Sequence, residues 1–134
     1  MSPLRQALVT LAVAAVVIIS TVWFARTTGS DEQTALRGTA GHRDVEVVVT
    51  AAVGDRSVEI QLSDPAGVTE VRLEPAMTEM GHAYPPLTAT AVDRGTGRYR
   101  AETHFDMAGR WELTVVVDDD AGTERAVLPF SVTP

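Results

Sequence analysis

Sulfur and imidazole are concentrated in two short stretches of this chain. Apart from the initiator, its methionines are Met77, Met80 and Met107, and two of its three histidines, His82 and His104, lie beside them. The stretches read Met77-Thr78-Glu79-Met80-Gly81-His82 and His104-Phe105-Asp106-Met107-Ala108-Gly109. Thioether sulfur with imidazole suits a soft ion such as copper(I); imidazole serves copper in either oxidation state, whereas thioether favours the reduced one. The chain has no cysteine, so no thiolate competes for that role. If the two stretches meet in space, Met77, Met80, His82, His104 and Met107 form a candidate ligand set for copper(I). Such neutral ligands leave the ion's charge uncompensated. Glu79 and Asp106 are placed to offset it, although each serves equally well as a solvated loop residue.

Each stretch also has a plainer reading. Met77 to Pro86 (MTEMGHAYPP) is opened by Pro75 and closed by Pro85-Pro86, which restrict its backbone, and Gly81 permits a sharp turn between Met80 and His82. If the segment is extended, Met80 and His82 project to the same side. The same methionines could instead fill an irregular end of a core. In the second stretch, Phe105 and Trp111 would fill the core while Met107 packs beside them and His104 faces water. Three outcomes are distinguishable. A metal site needs the heads of His82 and Met107 unburied and close together. A purely structural role buries all three methionines. A metal-free interaction or assembly module presents Met80, His82, Tyr84 and Pro85 as an exposed contact surface.

Other chemistry is poorly supported. Asp118-Asp119-Asp120 lacks the alternating spacing of an EF-hand loop and reads as a hairpin turn. No nucleophile elbow, zincin, P-loop or dinucleotide fingerprint occurs. Nothing in the sequence asks for an enzyme.

The positioning elements follow from hydropathy and period. Ala7 to Phe24 is an almost unbroken apolar run. Its eighteen residues give about 27 Å of helix, close to the hydrocarbon thickness of a bilayer. It exceeds the usual length of a signal-peptide core. Arg5 and Arg26 bracket it, and Trp23 sits at belt level. Residues 1–26 therefore read as one N-terminal transmembrane helix retained as an anchor, in preference to a cleaved signal. The expected location is the cell membrane, single-pass, with the C-terminal part extracytoplasmic. Residues 27–43 are small and polar, with no apolar period, and read as a flexible linker ending near a solvated His42.

From Asp44 the period becomes two. Alternation marks strands over Val45–Val53, Val58–Leu62, Val68–Leu73, Leu87–Val92, Arg98–Phe105, Trp111–Val117 and Ala126–Val132, separated by turns such as Asp64-Pro65-Ala66-Gly67 and Asp93 to Gly97. About seven strands and no helix point to an all-β, immunoglobulin-like antiparallel β-sandwich over residues 44–134. Trp111 stands where the aromatic of a tyrosine corner would sit.

Beyond Arg26, nine arginines face eighteen acids, leaving about −9, and there is no lysine. That charge disfavours nucleic acid as a partner. Without cysteine the domain has no disulfide framework and must rest on its core.

The residues from Leu73 to Val117 resemble the YtkA-like domain, a small β-sandwich family related to FixH. The likeness rests on Pro75-x-Met77-x-x-Met80-Gly81-His82, then Gly97-x-Tyr99, then Phe105-x-Met107-x-Gly109-x-Trp111. The resemblance implies a membrane-tethered extracytoplasmic module linked to copper handling or respiratory oxidase assembly. It carries Met77, Met80, His82 and Met107 over as ligands, and His104 is added from spacing alone. The expected function is thus copper(I) binding and delivery to a membrane-protein partner such as a respiratory oxidase. The chain lacks the Cys-x-x-x-Cys loop of thioredoxin-like copper donors, so thiol-based transfer is unavailable.

Overall fold

Alternating apolar side chains commit this chain to strands that bury one face, and among the described residues ten strands build two sheets. A computed structural model describes residues 32–134. The predicted transmembrane helix and the start of the linker lie outside the described residues. Among those described, no helix is long and apolar enough to cross a membrane.

The strands are β1 (Gln33–Ala40), β2 (Arg43–Thr50), β3 (Gly54–Leu62), β4 (Val68–Met77), β5 (His82–Ala83), β6 (Leu87–Thr88), β7 (Thr90–Ala91), β8 (Arg98–Phe105), β9 (Gly109–Asp119) and β10 (Gly122–Val132). One sheet has the order β1-β2-β3-β8-β7; the other runs β10-β9-β4-β5, with β6 also on β4. The strand pairs within both sheets are antiparallel. Val47, Val58, Ile60 and Phe105 from the first sheet meet Leu73, Trp111, Leu113 and Val115 from the second in one buried core. Phe105 packs edge-on against both Trp111 and Phe130, with centroids 5.0 and 5.5 Å apart.

Two features depart from the sequence reading. The stretch taken as a flexible linker up to residue 43 contains β1, paired with β2 from Gln33↔Thr50 to Ala40↔Arg43. The compact unit accordingly begins at Gln33. The strand shows no apolar alternation because its inward positions, Thr34, Leu36, Gly38 and Ala40, are mostly small. Small residues are needed there: a Cβ at Gly38 would lie 2.7 Å from Leu128 Cδ2. The predicted strand Leu87–Val92 is also two strands. β6 pairs with β4 in one sheet and β7 with β8 in the other. The crossing is at Ala89, which is buried and donates its N–H to the Val71 carbonyl at 2.8 Å.

The triple aspartate is the β9–β10 hairpin, and its charges are used structurally. Arg43 is 2% exposed and donates to the Asp64 and Ala66 carbonyls and to Asp119 Oδ2 at 2.6 Å. Asp119 Oδ1 also accepts the Ala121 and Gly122 N–H groups. The Arg43 hydrogen bond, then the Ala121 N–H, hold this carboxyl below its ordinary value of 3.8. A depressed carboxyl stabilises the fold above its unfolded pKa, and that contribution is lost as pH falls through the folded value. Asp119→Asn should therefore lower the urea midpoint at neutral pH and flatten its decline below about pH 4. An acid limb unchanged by the substitution would show that the pairing contributes nothing.

Candidate functional site

The site is built on the end of the sandwich where β4 finishes. Met77 closes β4, a 3-10 turn spans Thr78–Met80, and Gly81 takes a left-handed conformation at φ 65°, its N–H returning to the Thr78 carbonyl at 3.1 Å. β5 then runs back along β4, with Ala83 opposite Ala76 and His82 opposite Met77. Tyr84 N–H continues the ladder to the Pro75 carbonyl at 3.0 Å. The segment is thus a tight hairpin. Because Met80 sits in the 3-10 turn, the expectation that an extended backbone aligns it with His82 does not hold.

Directly opposed residues of an antiparallel pair project to the same side, with Cβ atoms about 4.5–5.5 Å apart. Met77 and His82 are such a pair. Met77 is 4% exposed, and a Cβ at Gly109 would lie 3.1 Å from its Cε. Gly109, at φ 140°, therefore leaves the space that the Met77 methyl fills. Met77 is a core residue with its tip at the sandwich end.

Met107 reaches the same end through the β8–β9 connection. Trp111 Nε1–H donates to the Met107 carbonyl at 3.1 Å. Trp111 does here what the tyrosine of a tyrosine corner does, tying the connection to the strand that follows. Tyr84 stacks on Trp111 at 5.0 Å and donates its hydroxyl to Asp106 Oδ1 at 2.8 Å. Burial first, then the hydrogen bond and charge of Asp106, raise the Tyr84 phenol above its ordinary range. Asp106 is thereby fixed next to Met107. Glu79 instead faces Arg110 at 3.7 Å, an exposed pair worth little.

Exposure separates the methionines. Met80 is 53% and Met107 36% exposed, and His82 is exposed. A purely structural role for all three thioethers does not fit; it fits Met77 alone. The fold brings Met77, Met80, His82 and Met107 to one end. His104 is at that end too, but β8 buries Phe105 and so turns His104 to the outer face of the other sheet. There its Nδ1 meets Asp55 Oδ1 at 2.7 Å, across the β3–β8 register. Among the described residues, no group of three or more histidine, aspartate or glutamate side chains is arranged for a metal ion. The candidate set therefore depends on its thioethers. Tyr84 and Asp55 are not legible in the sequence as partners of the ligand set; a hydroxyl or carboxylate brought in by strand register leaves no local motif.

A family model described as YtkA-like matches residues 37–116. No curated protein matches the chain. Among solved structures, the crystal structure of the PmoD soluble domain from Methylocystis sp. ATCC 49242 (Rockwell) is similar, with a TM-score of 0.52 at 15% identity, covering 72% of this chain and 96% of that one. At that identity the likeness establishes a shared fold.

Proposed function

The chain belongs to the YtkA-like family, and from that premise we propose that it is a membrane-tethered extracytoplasmic domain that binds copper(I) and delivers it to a partner in the same membrane, such as a respiratory oxidase. The observation that carries this reading is the exposure of Met80, His82 and Met107 at the one end of the sandwich where β4 finishes. A thioether and imidazole set favours the reduced ion. Exposed ligands suit transfer, because a partner can reach the ion before it is fully released. Asp106, adjacent to Met107, supplies negative charge beside the neutral ligands.

The described chain begins at the same end of the sandwich. Gln33 pairs with Thr50, and Ala52 and Val53 join Thr133 beside the end of β10, where Val132 faces Gly109. The domain is thus entered at the end that carries the methionines.

Titration of the full chain with copper(I) against a competing chelator should show stoichiometric binding. Met80→Leu, His82→Ala and Met107→Leu should each weaken it about tenfold or more, ~1.4 kcal/mol per ligand. These side chains are exposed, so the folded signal of Trp111 should persist. No binding by the unaltered chain discards the copper reading.

A further inference from the structure

The sheet switch at Ala89 leaves part of β8 without a neighbour. Val92 N–H donates to the Arg98 carbonyl at 2.9 Å, and β7 pairs Ala91 with Tyr99 and Thr90 with Arg100. Arg98 therefore turns its backbone groups toward β7, and by strand alternation Arg100, Glu102 and His104 turn theirs the same way. Two residues further back along this path, Leu87 and Thr88 pair with Leu73 and Arg72 of the other sheet instead. Among the described residues, Glu102 and His104 have no strand on that side.

This bare edge borders an open groove of about 510 Å³. Its apolar wall is formed by Pro75, Tyr84, Pro85 and Leu87, and its other wall by Asp55, Glu102 and His104. Tyr84 is held rigid by Trp111 and Asp106. The Asp55 side chain is 94% exposed, and neither Asp55 nor Glu102 is paired with an arginine among the described residues. An unpaired edge beside an apolar shelf, rimmed by acids, is the set of features used in recognition by strand addition.

We infer that the groove is a docking site for a short extended segment of a partner protein carrying alternating basic and apolar side chains. The segment adds antiparallel or parallel to β8 at Glu102 and His104. Its apolar side chains rest on Tyr84, Pro85 and Leu87, and its basic ones meet Asp55 and Glu102. The site is independent of the methionines, so it holds whether or not the chain binds copper.

The test uses the full chain without metal and two probes: an alternating arginine–valine hexapeptide and its glutamate–valine counterpart. Binding is read by amide hydrogen exchange. The basic peptide should slow exchange at Glu102 and His104 several-fold, saturably, and the effect should weaken with salt. The acidic peptide should do nothing. Glu102→Pro removes one edge donor where proline is tolerated, since no ladder bond is lost; it should abolish protection. Asp55→Asn with Glu102→Gln, which leaves the backbone intact, should weaken binding several-fold if proline disturbs the fold. Absence of protection by the basic peptide overturns the inference, as does equal protection by both peptides. Protection of the same amides that rises with protein concentration alone assigns the groove to a second copy of this chain and overturns the basic partner.

Discussion

A chain begun at Asp44, where the alternating pattern becomes obvious, should fail to give a stable domain. That start removes all of β1 and with it eight paired positions along β2. It also removes Arg43, whose guanidinium ties the Asp64 and Ala66 carbonyls to Asp119. Its loss leaves the Asp64 and Ala66 carbonyls and Asp119 Oδ2 without their guanidinium donor. An ordinary domain is stabilised by only about 5–15 kcal/mol, so losing a whole strand together with this tie is not easily absorbed. The new edge would be β2, whose Val45, Val47, Val48 and Val49 form an apolar strand suited to edge-to-edge association. Thermal unfolding followed by near-ultraviolet circular dichroism should show a cooperative transition for chains starting at or before Gln33. It should be lost, or the protein should aggregate, for the start at Asp44. An unchanged transition in the shorter chain would mean that β1 is an accessory strand.

Trp111 should be the most sensitive single position, and its two substitutions should separate stability from function. The residue is 1% exposed and touches both Tyr84 and Phe105 at 5.0 Å. Trp111→Ala should cost about 3–5 kcal/mol through lost contacts and the cavity left behind. Trp111→Phe retains an aromatic against Phe105 but removes the N–H that holds the Met107 carbonyl. Stability should then fall by about 0.5–1.5 kcal/mol for the lost hydrogen bond, besides the contacts that the smaller ring gives up. Copper(I) affinity should fall as well, because Met107 is no longer fixed. Outer groups that orient ligands typically change metal affinity about 10–100-fold. The comparison requires urea unfolding and chelator competition on the same variant. Full copper affinity in Trp111→Phe would show that the corner does not position the site.

Period-two alternation located every strand that buries a row of large side chains, from β2 through β10. It was silent where burial is achieved with small residues, as in β1, and where a strand is two residues long, as in β5. It could not divide Leu87–Val92 between two sheets, because a strand that changes sheets keeps its alternation while changing its partners. The methionines and histidines were visible as residue types. Their grouping depends on the β4–β5 register and on the Trp111 tie, neither of which leaves a local pattern. The resemblance motif mixes both kinds of information. Met80 and His82 are exposed, whereas Gly97 answers to the fold: at φ 75°, a Cβ there would collide with the Leu62 carbonyl oxygen.

We propose that copper(I) is held by thioether sulfur and His82 at this end of the sandwich. X-ray absorption at the copper edge, on the full chain loaded with copper(I), tests it most directly. The expected spectrum has a sulfur shell together with a single imidazole, the sulfur contribution reduced in Met80→Leu and again in Met107→Leu, and the imidazole lost in His82→Ala. A spectrum of nitrogen and oxygen neighbours alone, unchanged by the methionine substitutions, would contradict it.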